Sequence, residues 1–555
     1  MTLKQQVNFD TDPKSYKHWE LELDDSVATL KMKVNPIAGL RDDYELKLNS
    51  YDLGVDIELY DIVQRIRFEH PEVKAVVVTS ADEKVFCAGA NIQMLAGSTH
   101  HHKVNFCKFT NETRNSIEDS TEFTGTAWIA AVNGTAAGGG YELALACDEI
   151  ILVDDKSSTV SFPEVPLLAV LPGTGGLTRV VDKRHVRRDL ADVFAVKAEG
   201  IKGAQAVKWG LVDEVVPKSR FNEHVREHAL KRAAKSSRPS NESGIALLPL
   251  ERHEDEERLS YPHLDVRYDR ELSAAFFTIK APSSSGVTDL AELKAQGSSF
   301  WLLALCRELD DAALRLRFNE PEICSWVFSS TGDPEAVLAT DNLLRDNPDD
   351  WLVKEIRHYL KRTFNRLELS SRTLVTLIKP GSCFVGTLAE LALLADRSLM
   401  LDGTFSDDDS SEPAYMVLTE VNDEWYQMVN RISRLESRFW GRPEELANVR
   451  SAFGKQLSAE DCDALGVVTF IFDEIDWDDE VRILLEEQAS FSPDALTGLE
   501  ANCRFVGPET MESKIFARLT AWQNWIFQRP NAVGPEGALK SYGTGSRPNY
   551  NRERI

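Results

Sequence analysis

Two glutamates beside glycine-rich turns are the residues of this sequence best suited to acid/base chemistry. The stretch Val132–Asp148 predicts an apolar strand, a turn of three glycines (138–140) and a helix whose first turn carries Glu142. Glycines leave backbone N–H groups open to a ligand, and a helix N-terminus adds partial positive charge. The pattern predicts an oxyanion hole next to a general acid or base. A glycine triplet is also typical of a tight turn or a close packing site.

Two further segments repeat this plan of a strand that ends in a small-residue turn. The apolar run Ala75–Thr79 predicts a buried parallel strand, and the turn Phe86–Ile92 follows it. Glu164 follows a proline, and the glycine-rich loop Leu171–Gly176 then opens another helix. Two carboxylates that face one water suit its activation and the return of a proton. A helix-start carboxylate and a surface residue are the alternatives for the two glutamates.

Together with Trp209–Asp213, these segments make residues 20–230 similar to the crotonase (enoyl-CoA hydratase/isomerase) superfamily. The resemblance implies an α/β fold that acts on an acyl-CoA thioester. The site residues that it implies are the N–H groups of Ala90 and Gly139 as the oxyanion hole, Glu142 and Glu164 as the catalytic pair, and Ala88, Gly89, Ile92 and Gly138 as substrate-binding residues.

Several neighbouring residues carry weaker signals. Asn91 stands where the superfamily usually has aspartate, and asparagine makes similar local bonds. The resemblance implies that the segment containing Cys107 forms a wall of the acyl pocket. We therefore interpret Cys107 as a catalytic or pocket residue. The alternative is that it is a small buried apolar residue. Histidines 100–102 are predicted in a loop. Lys33 and Arg41 lie where the superfamily places a basic residue near CoA, although surface solubility explains them equally well.

The second half of the sequence repeats the first. The matching pairs are Arg67–Glu72 with Arg317–Glu322, Glu142–Asp148 with Glu390–Asp396, and Gly210–Val212 with Gly466–Val468. We therefore expect tandem crotonase-like (ClpP/crotonase) folds. The second is expected to be degenerate, because the glycine triplet becomes 386–388 (Gly-Thr-Leu) and the first turn becomes 338–340 (Leu-Ala-Thr), where bulky side chains would obstruct a thioester.

This repeat defines the expected organisation of the chain. The predicted domains are a catalytic crotonase-like domain at 1–235, a linker or insert at 236–300, a degenerate crotonase-like domain at 301–500, and a helical C-terminal segment with a tail at 501–555. The linker is expected to hold Ser283–Gly286 and one strand near Ala274–Ile279. A mobile tail is expected from Gly534, and its basic residues could reach a CoA phosphate; they are Lys540, Arg547, Arg552 and Arg554.

Composition excludes several classes of function. The formal charge of −26 over 555 residues argues against nucleic acid or an anionic membrane as a partner. Eight cysteines without the spacing of a disulfide framework indicate reduced thiols. The sequence has neither a secretory signal nor an apolar run approaching the roughly 18 residues of a membrane span. A soluble cytoplasmic protein is expected.

The first half keeps both glutamates, the second half is expected to be degenerate, and the chain is long. In this combination the sequence resembles ring-cleaving members of the superfamily. The resemblance implies that 2,3-epoxybenzoyl-CoA reacts with two waters to give 3,4-dehydroadipyl-CoA semialdehyde and formate. No metal or separate cofactor is implied, since CoA is part of the substrate. A homodimer is expected, because a fused pseudo-subunit could replace part of a larger assembly.

Three alternatives remain at this stage. The runner-up is a general enoyl-CoA hydratase acting on an acyclic thioester, which would use the same four groups. A non-enzymatic CoA-binding scaffold is disfavoured by the intact glutamate pair. A zinc peptidase is suggested by residues 224–228 (His-Val-Arg-Glu-His), but this spacing of histidines arises often by chance.

Overall fold

The computed structural model describes residues 6–283, 287, 289–406 and 412–555. The chain forms two compact units: the first unit is residues 9–247, and the second unit is residues 248–555 together with the N-terminal residues up to Asn8. Part of the expected linker, residues 284–286, lies outside the described residues. In the described part of the chain, no helix is long and apolar enough to cross a membrane.

The first unit is built around a mostly parallel sheet. Its strands are β1 (Trp19–Asp24), β2 (Val27–Met32), β3 (Ala75–Ser80), β4 (Val85–Cys87), β5 (Ala127–Val132), β6 (Thr135–Ala137), β7 (Glu149–Asp154), β8 (Val160–Ser161) and β9 (Glu214–Pro217). Its helices are α1 (Leu53–Phe68), α2 (Ile92–Gly97), α3 (His100–Thr124), α4 (Gly139–Ala146), α5 (Gly176–Thr178), α6 (Arg188–Ala195), α7 (Gly203–Lys208) and α8 (Phe221–Ala233). The main sheet has the order β1-β2-β3-β5-β7-β9, in which only the β1–β2 pair is antiparallel.

A second, three-stranded sheet in the first unit positions the turns between strands and helices. Its parallel strands β4, β6 and β8 each follow a strand of the main sheet, namely β3, β5 and β7. The predicted strand at Ala75–Thr79 is confirmed as β3, and all residues of β5 are buried, as expected of central parallel strands. Because parallel strands end at the same edge, the turns that follow β4, β6 and β8 lie together.

The loop predicted for the three consecutive histidines is wrong, since His100 begins α3. The Thr99 side chain caps this helix by accepting a hydrogen bond from the His102 N–H (3.1 Å), and Gly125 ends it with a φ of 79°. Threonine N-caps and glycine C-caps are standard helix boundaries. The result is one 25-residue helix along the wall of the site.

The second unit repeats the topology of the first. Its strands are β10 (His253–Glu254), β11 (Arg258–Ser260), β12 (Leu264–Asp269), β13 (Ala274–Lys280), β14 (Ser325–Thr331), β15 (Thr373–Ile378), β16 (Phe384–Val385), β17 (Arg397–Leu401), β18 (Met416–Val417) and β19 (Phe470–Phe472). The order is β10-β11-β12-β13-β14-β15-β17-β19, and the last five strands are parallel. An antiparallel strand precedes the parallel series, as in the first unit. The short parallel pair β16–β18 corresponds to the small sheet.

Helices account for much of the rest of the second unit. They are α9 (Leu290–Gln296), α10 (Trp301–Asn319), α11 (Pro334–Asp346), α12 (Trp351–Leu369), α13 (Glu390–Leu393), α14 (Val421–Glu424), α15 (Arg434–Arg438), α16 (Pro443–Ser451), α17 (Ala459–Leu465), α18 (Glu474–Ser490), α19 (Pro493–Arg504), α20 (Met511–Ser513), α21 (Thr520–Ile526), α22 (Pro530–Val533) and α23 (Ala538–Ser541). The C-terminal segment is helical, as expected.

Hydrogen bonds made by an arginine repeat along with the topology. In the first unit the Arg179 guanidinium donates to Glu118 and to Asn115, which lies three residues earlier on α3. In the second unit Arg434 bonds in the same way to Glu368 and Asn365 on α12. The two halves therefore share internal contacts as well as a strand order.

Residues 248–300 are not a linker, which corrects that prediction. They contain β10 to β13, and the expected strand near Ala274–Ile279 is confirmed as β13. Arg238, also in the predicted linker, is buried in the first unit, where its guanidinium donates to the backbone oxygens of Ile66, Arg67, His70 and Pro71.

Both ends of the described chain are bound within the second unit. The Val7 N–H donates to Asn319 Oδ1 (2.8 Å), and Asn319 Nδ2 donates to the Val7 carbonyl oxygen (3.0 Å). The buried Arg554 guanidinium donates to Glu500 Oε2 (2.5 Å) and to the Cys324 carbonyl oxygen (2.9 Å). The expectation of a mobile tail is therefore wrong at its last residues, and Arg554 is not available for a CoA phosphate.

Candidate active site

The turns after β4 and β6 meet backbone to backbone. Gly89 has a φ of 87°, and a Cβ placed on it would lie 2.8 Å from the Ala137 carbonyl oxygen and 2.9 Å from the Gly139 nitrogen. Only glycine combines this backbone conformation with such a close approach. The two predicted oxyanion turns are therefore adjacent.

The N–H groups of Ala90 and Gly139 are free to bind a ligand. A short parallel bridge holds the first turn, in which the Tyr51 N–H donates to the Gly89 oxygen (3.0 Å) and the Asn91 N–H donates to the Tyr51 oxygen (2.9 Å). This bridge leaves the intervening Ala90 N–H unused. Gly139 begins α4, so its N–H has no partner within the helix. Among the described residues, neither N–H has a hydrogen-bond acceptor.

A buried arginine supports the second turn, and sequence reasoning missed it. Arg114 Nη2 donates to the Gly139 carbonyl oxygen (3.1 Å) and to the Tyr51 hydroxyl (3.0 Å). A Cβ on Gly139 would lie 1.9 Å from that hydroxyl, so the glycine makes room for Tyr51. Arg114 is fully buried in the middle of α3, and no local motif marks it.

Glu142 is a buried carboxylate with three hydrogen-bond donors. Its Oε1 accepts from the N–H groups of Thr174 (3.0 Å) and Gly176 (2.7 Å), and its Oε2 accepts from the Thr174 hydroxyl. The predicted glycine-rich loop, residues 171–176, therefore holds the side chain of Glu142, which lies on the helix after the glycine triplet. These three hydrogen bonds fix the orientation of the Glu142 side chain.

Glu164 has the opposite environment. It begins a π-helical turn (Glu164–Leu168), and its Oε2 is buried without a hydrogen-bond partner in the described structure. A Cβ on Gly138 would lie 2.3 Å from its Oε1, so the carboxyl group lies directly over the glycine turn. Burial, and then the negative charge of Glu142, raise the pKa of Glu164 to about 7. The structure thus brings together two glutamates in different surroundings, since three donors hold Glu142 while Glu164 has a buried oxygen with no partner among the described residues.

Cys107 lies beside the loop that holds Glu142. Its Sγ would be 3.4 Å from a Cβ placed on Gly173. Burial, followed by the negative charge of Glu142, raises the pKa of the Cys107 thiol to about 11. The group is therefore a neutral thiol at neutral pH, which disfavours a role as an activated nucleophile.

One face of α3 holds the same loop in place. Asn111 Nδ2 donates to the Gly173 oxygen (3.2 Å), and Arg179 donates to Asn115 and Glu118 while its Nη1 bonds to the Thr174 oxygen (3.2 Å). Asn111, Asn115 and Glu118 are spaced four and three residues apart, so they share one side of the helix. Sequence reasoning missed this support because its partners are separated by about sixty residues.

The predicted CoA-binding residues differ in what they contact. Ala88 bonds to Leu48 through its N–H, and Ile92, the first residue of α2, is 56% exposed. Lys33 Nζ pairs with Glu20 (2.6 Å), and Arg41 pairs with Asp43 through two hydrogen bonds. Both basic side chains are therefore paired with carboxylates of the protein.

Asn91 organises the first turn, as the sequence predicted. Its Oδ1 accepts from the Met94 N–H (2.9 Å) and caps α2. Its Nδ2 donates to the Glu45 oxygen (2.8 Å) and to the Ser50 hydroxyl (3.1 Å). The oxygen of this asparagine side chain therefore caps the helix, while its nitrogen bonds to the neighbouring loop.

The corresponding place in the second unit is filled by the protein itself. The Thr387 N–H, which corresponds to that of Gly139, donates to Asp341 Oδ2 (2.8 Å). Asp341 lies on α11, so the expectation of a turn at 338–340 is wrong, because those residues are inside a helix. Glu390, the counterpart of Glu142, is buried and bonds to Arg434 Nη1 (2.9 Å) and Asn422 Nδ2 (2.8 Å).

Comparison with known proteins identifies the class that this fold and site define. The family model described as enoyl-CoA hydratase/isomerase matches residues 43–243. The chain belongs to the enoyl-CoA hydratase/isomerase (crotonase) superfamily. It is 52% identical to the benzoyl-CoA-dihydrodiol lyase of Aromatoleum evansii, over 99% of this chain and 98% of that protein.

Two further relatives match shorter parts of this chain. The fatty acid oxidation complex subunit alpha of Idiomarina loihiensis is 36% identical over 30% of this chain and 23% of its own length. A solved enoyl-CoA hydratase of Geobacillus kaustophilus is 33% identical, covers 40% of this chain and 75% of its own, and gives a TM-score of 0.34.

Proposed function

We propose that this protein is a 2,3-epoxybenzoyl-CoA dihydrolase, that is, a benzoyl-CoA-dihydrodiol lyase. One substrate molecule would react with two waters to give 3,4-dehydroadipyl-CoA semialdehyde and formate, as a step of aerobic benzoate degradation. The observation that carries the proposal is the 52% identity to a benzoyl-CoA-dihydrodiol lyase over 99% of the chain. The two-glutamate site of the first unit supports it, because each water needs a base and each new oxygen or carbon centre needs a proton.

The thioester carbonyl would bind between the N–H groups of Ala90 and Gly139. Hydrogen bonds from two fixed donors withdraw electrons from the ring carbons next to the carbonyl and stabilise the enolate that forms later. Ala88, Gly89, Gly138 and Ile92 would bind the thioester. Lys33 and Arg41 would exchange their present carboxylate partners for CoA phosphates.

The two glutamates would divide the acid and base work. Glu142, held by three donors, would act as the carboxylate base that takes a proton from the attacking water. Glu164, with a pKa of about 7 and an unpartnered oxygen, would give a proton to the epoxide oxygen as the ring opens. Two carboxyl groups in different surroundings are typical of such a division.

The second water would complete the reaction. In the seven-membered oxepin tautomer the carbon-carbon bond of the epoxide is broken, so the first water would add to the oxygen-bearing carbon β to the thioester carbonyl, and the resulting hemiacetal opens to two aldehydes. The second water then adds to the aldehyde next to the thioester α-carbon, the bond between these two carbons breaks, formate leaves, and the electrons pass to the thioester enolate. A proton returned to carbon then gives the semialdehyde. Cys107, a neutral thiol beside Glu142, would shape the ring pocket or assist a proton transfer. The reaction requires no metal and no separate cofactor.

A general enoyl-CoA hydratase is the second candidate, because it would use the same four groups on an acyclic thioester. The partial match to the fatty acid oxidation subunit favours it. That match covers only 30% of the chain, whereas the lyase match covers both units. We further propose that the protein is cytoplasmic and forms a homodimer, since all eight cysteines are free and the second unit could replace a subunit of a larger ring.

Formate release tests the proposal. Purified protein is mixed with enzymatically generated 2,3-epoxybenzoyl-CoA and, separately, with crotonyl-CoA, and the CoA products are identified by mass. Formate from the epoxide is the expected result. Hydration of crotonyl-CoA without formate from the epoxide would contradict the proposal and favour the general hydratase.

A further inference from the structure

The helix α8 places two histidines against carboxylates of the main sheet, away from the candidate active site. His224 and His228 are one helical turn apart, and their rings are nearly parallel, with centroids 6.2 Å apart and an interplanar angle of 25°. Glu214 is the first residue of β9, and its Oε2 is 2.5 Å from His224 Nε2. Glu149 is the first residue of β7, and its Oε2 bonds to His228 Nε2.

Three of these donors lie close enough to share an ion. The ligand atoms of Glu214, His224 and His228 are all within 4.8 Å of one another. Zinc binds histidine nitrogen and carboxylate oxygen at about 2.0–2.2 Å, so ligands of a tetrahedral ion are roughly 3.3–3.5 Å apart. Small side-chain rotations would close that difference. Glu149 lies outside this group of three, and its Oε2 bonds to His228 Nε2.

The supporting elements are rigid, and the ligands remain accessible. Val225 and Ala229, on an adjacent face of α8, pack in the hydrophobic core of the sheet. Glu149 and Glu214 lie on neighbouring paired strands. The side chains of His224 and His228 are 30% and 21% exposed, so an ion can reach them from solvent. Arg232, whose Nε is 3.4 Å from Glu149 Oε1, is the positive charge next to the cluster.

We propose that Glu214, His224 and His228 bind a divalent transition-metal ion of the zinc type. Two imidazoles and one carboxylate suit zinc, cobalt or nickel and do not suit magnesium or calcium. Three protein ligands leave the fourth tetrahedral position to a water. The ion would bind α8 to β9 of the main sheet. No metal was expected from the sequence.

Metal binding by the full chain tests this inference. Protein freed of metal by chelation and dialysis is titrated with zinc in competition with a chromophoric chelator, and the visible absorption of added cobalt reports tetrahedral coordination. The H224A/H228A variant is expected to lose one equivalent of zinc. The H70A/H253A variant is the matched control, because each of its histidines lies near one carboxylate, at 3.2 and 3.7 Å, without a second histidine. It should keep that equivalent.

Thermal unfolding gives a second readout that is independent of activity. Zinc should raise the Tm of the unmodified chain and of H70A/H253A but not that of H224A/H228A, because an ion that binds only the folded state stabilises it. If the double variant does not fold, E214Q is used, and its zinc affinity should fall by about tenfold or more. Equal zinc binding by H224A/H228A and the control, or no binding by the unmodified chain, would show only two histidine–carboxylate pairs and overturn the proposal.

Discussion

The environments of Glu142 and Glu164 explain why two identical side chains can have different roles. Three donors hold Glu142, whereas Glu164 is half-buried with one oxygen unpartnered. Burial without donors disfavours the charged form, and the charge of Glu142 adds to the effect. Glu164 therefore keeps its proton to a higher pH than an exposed glutamate does.

The pH dependence of turnover should report this residue. In the proposed mechanism Glu164, with a pKa of about 7, is the acid, so kcat/KM on 2,3-epoxybenzoyl-CoA should fall as the pH rises through about 7. Glu164→Gln should lower kcat by about 10²- to 10⁴-fold and abolish that ionisation in the pH profile. Binding of CoA thioester, measured by calorimetry, should stay nearly unchanged. An unaffected rate would remove Glu164 from the mechanism.

Gly138 should be intolerant of any side chain for a reason specific to the site. A Cβ there would lie 2.3 Å from Glu164 Oε1, so Gly138→Ala should displace the carboxyl group and lower kcat by about 100-fold. Gly203 also has a positive φ, of 54°, but has open space around it. Gly203→Ala is thus the control for backbone strain, and its kcat should match that of the unmodified protein. Equal losses in both variants would contradict the collision with Glu164.

Sequence reasoning predicted the residues of this site that belong to local motifs. Glycines next to a strand and a glutamate in the first turn of a helix are visible within a few residues. Arg114, Tyr51 and Asp341 were missed because each acts on a residue at least 25 positions away, through a contact that only the fold creates. The catalytic roles themselves stay predictions.

At the scale of elements, the loop 171–176 depends on α3. Arg179 connects the two, since it donates both to Glu118 and to the Thr174 oxygen beside the donors of Glu142. The planar guanidinium group of arginine can donate hydrogen bonds to two planar groups in a fixed geometry, and the ammonium group of lysine cannot. The orientation of Glu142 therefore depends on an arginine that is outside every sequence motif.

Arg179→Lys should reduce catalysis more than binding. The loop would lose its fixed geometry, so we expect kcat to fall by about 10- to 100-fold with KM changed by less than about threefold. Arg187→Lys changes an exposed pair with Asp189 in the same way and should leave both constants unchanged. Steady-state kinetics of the two variants measure the difference. A rise in KM alone would show that Arg179 supports binding of the substrate instead.

The strands β10 to β12 show why the linker prediction failed. The charged run at residues 251–258 is typical of a solvated segment, and β10 and β11 are only two and three residues long. Short, charged strands are common at sheet edges, where they discourage pairing with other chains. Only β12 has the alternating burial expected of a half-buried strand. The parallel strands were predicted better, because their long apolar runs dominate the local sequence.

At the scale of the whole molecule, the repeat preserves packing while the two sites differ. In the second unit Asp341 accepts a hydrogen bond from the N–H of Thr387, which corresponds to the Gly139 N–H proposed to bind the thioester oxygen in the first unit. Glu390 is likewise bound to Arg434. Internal partners at both positions support the prediction that the second unit is structural.

Substitution of the corresponding glutamates, Glu142 and Glu390, distinguishes a catalytic role of the first unit from a structural role of the second. Glu142→Gln should lower kcat by about 10²-fold or more, whereas Glu390→Gln should change kcat per folded molecule by less than about twofold. Because Glu390 is fully buried, its substitution should instead lower the free energy of unfolding by about 1–3 kcal/mol. Turnover and chemical denaturation measured on the same samples test both expectations. Loss of turnover in Glu390→Gln without unfolding would give the second unit a catalytic role.

The hydrogen bonds between Val7 and Asn319 have a consequence for protein synthesis. These residues are 312 positions apart, so a ribosome adding about 5–20 residues per second makes the partner of Val7 on the order of 15–60 s after Val7 itself. The whole first unit is translated within that interval. In the cell, the N-terminal segment that belongs to the second unit therefore waits, unpaired, for a helix of that unit, whereas refolding of the complete chain from denaturant offers both partners at once.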